Sequence, residues 1–437
     1  MIRVSVTTLG CRVNSYESDA MAGLLRSHGF DVVPEHEPAD ICVVNTCTVT
    51  NIADRKSRQM ISRCRKLNPD AKIIVTGCWS QRDPIAAAKL EGVAAVLGNN
   101  EKSRIVEVIT DVLSGKEGVS LVTDVMHEHS FEELSATAEG RTRAYLKIQD
   151  GCNRFCTYCA IPYARGAVRS RSLTSVRREL EKLNDAGFME VVLTGIHLTD
   201  YGKDIGVTLA DAVDCLEGLD NIKRIRLGSL EPHGLNDEMI KRLTGNERVC
   251  RQFHLSLQSG STSVLSRMKR GYTAEEYACI VNRIRSQYGR DAERVAFTTD
   301  IIAGFAGETL DEHEQTIRFM RDIGFARVHV FPYSRRSGTL ADRMPDQLDN
   351  QEKSRRAQEL IIVGRELEKS FLGRFIGRTE SVLIETKHDD GLSFGFTDSY
   401  VRVLTEHAEP NTLVDVNIKS VTEDSNGELS LLSDSIR

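Results

Sequence analysis

The chain has 437 residues, with 57 Lys and Arg against 63 Asp and Glu, a formal net charge of −6. Hydrophobic residues make up 40% and charged residues 27%, the balance of a soluble globular protein with room for two or three cores. These values exclude a generally basic nucleic-acid coat, so any surface for RNA must be local.

No apolar run approaches the roughly 20 residues that cross a bilayer. The start, MIRVSVTTLGCRVNSYES, lacks the basic, apolar and small-residue segments of a secretory leader. A cytoplasmic location without membrane partners is therefore expected. The eleven cysteines are then expected to be reduced, and either buried or bound to metal.

Residues 1–125 alternate short apolar runs with helical patterns. Strands are predicted over 2–7, 39–45 and 72–76, and helices over 16–28, 54–67 and 84–91. Such alternation predicts a parallel sheet covered on both faces. Residues 126–143 are polar without an apolar period and read as a linker or clamp. From 144 to 370 the alternation resumes, with strands expected at 144–149, 190–194, 224–228, 253–257, 295–302 and 327–331. Helices such as 175–186 and 310–323 separate them, and a long charged helix over 351–372 follows. Six strand–helix units predict a partial (β/α)6 barrel, TIM-like, with its chemistry at the carboxyl ends of the strands. In residues 371–437, strand-like runs at 380–385, 401–404, 413–421 and 429–432 are split by Asp-Asp-Gly, Glu-Pro-Asn and Ser-Asn-Gly turns. They predict a small all-β barrel. The fold class expected is α/β with this barrel appended.

Cys152-Asn-Arg-Phe-Cys156-Thr-Tyr-Cys159 follows the first strand of the second unit. Three thiolates at a C-x3-C-x2-C spacing suit three corners of a 4Fe–4S cube, and soft thiolates favour iron–sulfur or zinc. The fourth iron is then open to chelate amino and carboxylate groups, such as those of S-adenosylmethionine (SAM). The alternative is structural zinc, which closes with four ligands, usually in C-x2-C pairs; no fourth Cys or His follows nearby. Tyr158, inside the loop, reads either as a ring packed on the adenine of SAM or as ordinary packing.

Cys11, Cys47 and Cys78 are distant in sequence, yet each lies just past the end of a predicted parallel strand. Carboxyl ends of adjacent strands line one crevice in an open α/β sheet, where three thiols can converge. The alternative is three unrelated buried cysteines, since free Cys behaves as a small hydrophobe. Cys42, Cys64, Cys215, Cys250 and Cys279 read as core packing.

The stretch GCNRFCTYCAIPYARGAVRSR resembles the radical-SAM methylthiotransferases, and the resemblance covers nearly the entire chain. It includes TLGCRVN near the start, LGSLEP at 227–232, HLSLQSG at 254–260, TDIIAGFAGET at 299–309 and HVFPYSRRSGT at 329–339. Ala306 and Ser337 depart from it, each standing where proline is usual, a change of loop rigidity and not of chemistry. The resemblance implies that Cys152, Cys156 and Cys159 hold a 4Fe–4S cluster with SAM. It also implies that Cys11, Cys47 and Cys78 hold an auxiliary 4Fe–4S cluster whose open iron carries an extra sulfur. One SAM would methylate that sulfur; another would be reductively cleaved, its radical removing hydrogen from the carbon that receives the methylthio group. A low-potential electron donor and a sulfur source, neither named by the sequence, are the partners this implies.

Within the family, TLGCRVN, QDGCNRFCTYCAIPYARG and SLEP look most like the branch acting on threonylcarbamoyladenosine beside the tRNA anticodon, at carbon 2 of the base. A splayed anticodon loop suits an enzyme that must reach a base. Isopentenyl-adenosine in tRNA and an aspartate of a ribosomal protein are the alternatives within the family. Outside catalysis, the alternative is an RNA-binding protein whose Fe–S clusters sense redox state; a three-ligand loop weighs against it, because electron-transfer cubes normally have four cysteines.

Further SAM contacts are expected at barrel strand ends. Thr194 and Gly195 follow the second strand, Glu231 the third, where it suits ribose hydroxyls, and Gln258 ends the fourth; each reads equally as a turn residue or loop anchor. Six arginines and no acidic residue lie between 154 and 178, namely Arg154, Arg165, Arg169, Arg171, Arg177 and Arg178. With Arg335 and Arg336 they predict a phosphate-binding face, the alternative being a solvated charge run. The tail resembles a TRAM domain, a β-barrel RNA-binding module, but carries six basic against twelve acidic residues from Phe371 onward. Residues near Arg374, Arg378, Lys387 and Arg402 are expected to guide tRNA there.

Overall fold

A computed structural model describes residues 1–116, 118–136, 142–387 and 391–434. Its first unit is a wholly parallel sheet of β1 (Arg3–Thr8), β2 (Asp31–Val33), β3 (Ile41–Thr46), β4 (Lys72–Gly77), β5 (Val93–Leu97) and β6 (Val119–Leu121). The order is β2-β1-β3-β4-β5-β6, so the three expected strands are neighbours at its centre. β2 and β6 have only three residues each, too few for a period to register. Alternate residues of β3 and β4 enter opposite cores: Ile41, Val43 and Ile74 pack on one side, Cys42, Val44, Ile73 and Val75 on the other. That arrangement requires covering on both faces, as the sequence predicts.

The second unit contains β7 (Arg143–Lys147), a ribbon of β8 (Gln149–Asp150) with β9 (Arg169–Ser170), then β10 (Glu190–Thr194), β11 (Arg224–Leu227), β12 (Ser229–Leu230), β13 (Gln252–Leu255), β14 (Ala296–Ala303) and β15 (Arg327–Pro332). Parallel strands form two arcs, β11-β10-β7 and β12-β13-β14-β15. Only Gly228 separates β11 from β12, so one barrel strand passes between arcs and the six expected strands are all present. The antiparallel β8–β9 ribbon closes the base of the cysteine loop and was not expected. Helix Asn350–Gly373 lies along β15, where a Cβ on Gly364 would stand 3.4 Å from Val328.

The tail is a closed barrel of β16 (Thr379–Lys387), β17 (Leu392–Thr397), β18 (Arg402–Glu406), β19 (Leu413–Glu423) and β20 (Leu429–Ser433). β17 escapes the sequence reading because Gly395 interrupts its pattern; a Cβ there would stand 2.2 Å from the Leu383 carbonyl. Asp389 and Asp390 of the first expected turn lie outside the described residues.

Three of the tail's acidic residues face the second unit. Glu385 pairs with Arg143, Asp398 with Arg251 at 2.6 Å and Glu380 with Arg294 at 2.8 Å. Arg226 donates to the Thr397 and Asp398 carbonyls, and Arg224 to those of Ser381 and Phe396. Most of these arginines lie at or just before the first residues of barrel strands, with Arg226 the third residue of β11, so the tail docks on the end opposite the cysteine loop. Of the expected linker, residues 137–141 lie outside the described residues. Within its described part, the Leu134 carbonyl accepts from Tyr16 at 2.5 Å and Arg171 at 3.1 Å, clamping the first two units together. Among the described residues no helix is long and apolar enough to cross a membrane.

Candidate metal centres

Cys47 and Cys78 directly follow β3 and β4, and Cys11 comes three residues after the adjacent β1, so topology alone brings three distant cysteines to one edge. Cys47 and Cys78 are buried and Cys11 is exposed, leaving the group an open side. Gly10 has φ +107°, and a Cβ there would stand 2.8 Å from the Cys47 Sγ; only glycine permits that approach. Asn14 ties the same edge, donating to the Leu9 and Thr46 carbonyls at 2.7 and 3.0 Å. Burial pushes the Cys47 thiol up to about 12, and Cys78 and Cys11 add to the rise because all three share one locality.

Cys152, Cys156 and Cys159 occupy a loop fixed from several sides. The Cys152 N–H donates to the Gly166 carbonyl at 2.9 Å. Gly151 has φ +73°, and its Cβ would collide with the Ala167 carbonyl. Thr157 N–H donates to Met268, its hydroxyl to Arg267, and its carbonyl accepts from Ala341. Burial, with the neighbouring thiols, holds Cys152 and Cys159 at about 12. Both trios must therefore release protons to bind metal. Among the described residues, no three His, Cys, Asp or Glu side chains close around a single-ion point; a cube, giving each thiolate its own iron, requires no such convergence.

Arg270 is the residue that sequence reasoning missed. Buried, it donates to the Cys156 Sγ and the Tyr158 hydroxyl at 3.3 Å each, to the Ser256 carbonyl at 3.0 Å and to the Glu231 carboxylate. Its context, MKRGYT, carries no motif, and only the fold brings it to the loop. Glu231, expected at a ribose, is thus held by Arg270. Thr194 is buried, and beside it Gly195 makes room for Gln149, whose Oε1 would stand 2.8 Å from a Cβ there. Gln149 in turn accepts from the His197 N–H at 2.7 Å. The His197 ring is buried, which lowers its pKa, and neither ring nitrogen has a hydrogen-bond partner among the described residues. Gln258 has φ 75°, with its backbone bonded to Asp300 and Ile302, the geometry of a loop anchor.

The expected phosphate face requires correction. Arg165, Arg169, Arg171 and Arg336 are each at most 2% exposed. Arg165 donates to Glu17, Asp150 and Asn14, and through Nε to the Cys78 Sγ at 3.3 Å. Arg169 bonds Asn100, and Arg171 bonds Tyr16 and Leu134. The segment after the cysteine loop thus docks on the first unit, which buries cations that a linear reading places in solvent. Arg336 reaches Thr48, Asn51 and Asp54 at 2.6, 2.7 and 2.8 Å, bracing the turn after Cys47. Arg335 remains exposed beside Asp342. Arg374 bonds the Glu293 carbonyl at the barrel's opposite end. Among the five leftover cysteines, Cys42, Cys64 and Cys250 are buried as expected; Cys215 is half-buried and Cys279 is exposed on the solvent side of helix Ala274–Gln287.

A half-barrel with a three-thiol loop at the carboxyl end of its first strand defines a radical-SAM enzyme. Residues 146–320 match the Radical SAM superfamily, and residues 3–98 match Uncharacterized protein family UPF0004. The fold is similar to that of the radical S-adenosylmethionine methyltransferase TsrM from Kitasatospora setae, with TM-score 0.57 and 17% identity over 78% of this chain and 73% of that one. The chain is 38% identical to threonylcarbamoyladenosine tRNA methylthiotransferase MtaB of Bacillus subtilis, over 94% of this chain and 91% of that protein. It is 36% identical to the protein of that name from Thermotoga maritima, over 100% and 98%. It is 34% identical to tRNA-2-methylthio-N(6)-dimethylallyladenosine synthase of Pelotomaculum thermopropionicum, over 90% and 89%. The chain belongs to the radical-SAM methylthiotransferase family and is a transferase.

Proposed function

We propose that this enzyme adds a 2-methylthio group to threonylcarbamoyladenosine in tRNA, in the cytoplasm. The observation that carries the reading is the pair of thiol trios, each at strand carboxyl ends and joined through Arg165, together with likeness to relatives named for that nucleoside. Cys152, Cys156 and Cys159 would hold the SAM-binding 4Fe–4S cluster, and Cys11, Cys47 and Cys78 an auxiliary one. When bound and reduced, the first cluster supplies the electron that cleaves a carbon–sulfur bond of SAM.

The chain's own residues do the positioning. Arg270 sets a fixed positive charge against Cys156 and aligns Tyr158 and Glu231 around the loop. Gly195, at the end of β10, lets Gln149 approach its backbone, and the Thr194 carbonyl accepts from the Ile148 N–H at 3.0 Å. His197 turns Nδ1 toward the Asp200 carboxylate at 3.3 Å and leaves Nε2 without a hydrogen-bond partner among the described residues. We read 1–125 as the auxiliary-cluster unit, 126–143 as a clamp, 144–370 as the radical-SAM core and 371–437 as a TRAM-like barrel. Arg335 stays a candidate for RNA contact.

The test uses anaerobically reconstituted protein with SAM, dithionite and tRNA bearing threonylcarbamoyladenosine. Mass spectrometry of the digested RNA should show the 2-methylthio derivative, with 5′-deoxyadenosine formed in parallel. Deoxyadenosine with a product only on isopentenyl-adenosine tRNA, or only on a ribosomal protein, would overturn the substrate and keep the chemistry. Neither product, with both clusters loaded, would overturn the reading.

A further inference from the structure

Helix Asn51–Leu67 carries Arg55, Lys56, Arg58, Arg63, Arg65 and Lys66 against one acidic residue, Asp54. Asp54 is taken by Arg336 at 2.8 Å, and Arg65 pairs with Glu91. Ser57, Ile61 and Cys64 form the buried stripe. At about 100° per residue the cations fall on the remaining arc. Arg55, Lys56, Arg58, Arg63 and Lys66 are exposed, and no carboxylate among the described residues pairs with any of them.

That economy is unusual within this chain. Arg165, Arg169 and Arg171 of the cysteine-loop segment are consumed by buried partners, and the arginines at the barrel's amino end by the tail. A protein of net charge −6 that leaves five cations unpaired on one helix face concentrates there the field that draws a polyanion. The helix also starts at the thiols. Ser57 Oγ lies 3.3 Å from the Cys47 backbone nitrogen, Asn51 donates to the Arg335 carbonyl at 2.6 Å, and Arg58 lies over the ring of Trp79, next to Cys78, at 5.9 Å. Seventeen residues at a helical rise of about 1.5 Å extend roughly 25 Å from the Cys47 edge back along the sheet, enough to track several phosphates of an RNA strand.

We propose that the outer face of helix Asn51–Leu67 binds the sugar–phosphate backbone of the tRNA and thereby delivers its loop to the two trios. The inference rests on the tRNA reading above and assigns its main phosphate contacts to the first unit instead of the tail. Arginine and lysine on an exposed helix suit phosphate because each neutralised phosphate releases a counterion, which makes binding steeply salt-dependent.

The decisive variant is Arg55→Gln, Lys56→Gln, Arg63→Gln and Lys66→Gln together, since Gln keeps helix propensity and none of the four touches a thiol. Holoenzyme affinity for labelled tRNA is measured by anisotropy from about 50 to 200 mM salt. The variant should lose affinity about 10- to 100-fold at the low-salt end, and its log–log salt slope should fall by about 3. Deoxyadenosine formed from SAM without tRNA should stay at the wild-type rate. A control, Lys223→Gln with Lys241→Gln on the half-barrel, should change neither affinity nor slope. Unchanged affinity and slope in the fourfold variant, while wild type still makes the methylthio nucleoside, would overturn this surface and leave the function standing. An equal loss in the control would overturn the assignment to this helix. Tighter binding of polyglutamate than of tRNA, lost in the variant, would assign the face to an acidic protein instead.

Discussion

Arg165 Nε donates to Cys78 Sγ at 3.3 Å, although Arg165 follows Cys159 by one short turn of chain and Cys78 belongs to the other trio. One buried guanidinium therefore touches a thiol of the first unit while its backbone continues the loop of the second. It also meets Glu17 at 2.8 Å and Asp150 at 3.1 Å, with Lys102 and Lys147 completing the group. Removing one member of a buried ionic group strands the rest, at a cost of about 3–5 kcal/mol.

Arg165→Met should accordingly lower stability by about 3 kcal/mol or more and shift the auxiliary cluster proposed at Cys11, Cys47 and Cys78 to a more negative potential, since a nearby positive charge favours the reduced form. Urea melts of the apoprotein and an EPR-monitored redox titration read the two effects. Wild-type values in both would show that the contact is incidental.

How much of this was legible in the sequence depends on how local each signal was. The C-x3-C-x2-C loop is contiguous and needed no fold. Cys11, Cys47 and Cys78 became legible through strand order, because each follows a β-strand. The arginines of GCNRFCTYCAIPYARGAVRSR misled for the converse reason: charge along a chain does not reveal the second unit that covers it. Arg270 and Gly395 were invisible, one lacking a motif and the other breaking a pattern. The basic run of 55–66 was in plain view, overlooked because the helix was read only for its apolar period.

Arg336 should act on loading of one cluster alone. Its three contacts hold Thr48, next to Cys47, and Asn51 and Asp54 in the first turn of the helix that follows. Arg336→Met should reduce iron and sulfide per chain toward a single cluster, while SAM cleavage to deoxyadenosine persists and methylthio product falls at least about 10-fold, a barrier change of about 1.4 kcal/mol. Full iron content with normal product would remove Arg336 from this role.

Glu17 predicts an acid limb. Burial alone would raise its pKa, but Arg165, Lys102 and Lys147 outweigh burial and hold it below its ordinary 4.5. A depressed carboxylate stabilises fully above that ordinary value, and the contribution drains away as pH falls through it toward the folded value, because the unfolded chain takes up protons first. Glu17→Gln should thus be less stable than wild type at neutral pH, and the gap should narrow only below about pH 4.5. A gap constant down to about pH 3 in urea melts would show that Glu17 titrates alike in the folded and unfolded chain, so that the buried cations do not depress its pKa.

The tail offers the sharpest contrast with the basic helix. Lys387 pairs with Glu409, and Arg402 with Glu428 at 2.7 Å while lying over Phe394 at 4.7 Å, so both cations already have partners. A phosphate must displace those carboxylates, and the surrounding acidic residues repel it. Lys387→Gln with Arg402→Gln should therefore leave the salt slope of tRNA binding within about 0.5 of wild type, less than the loss of a single phosphate contact. A slope reduced by about 1.5 or more would restore the tail to the phosphate path. It would also mean that the inward ion pairs to Arg143, Arg251 and Arg294 do not exhaust what the barrel's charge is for.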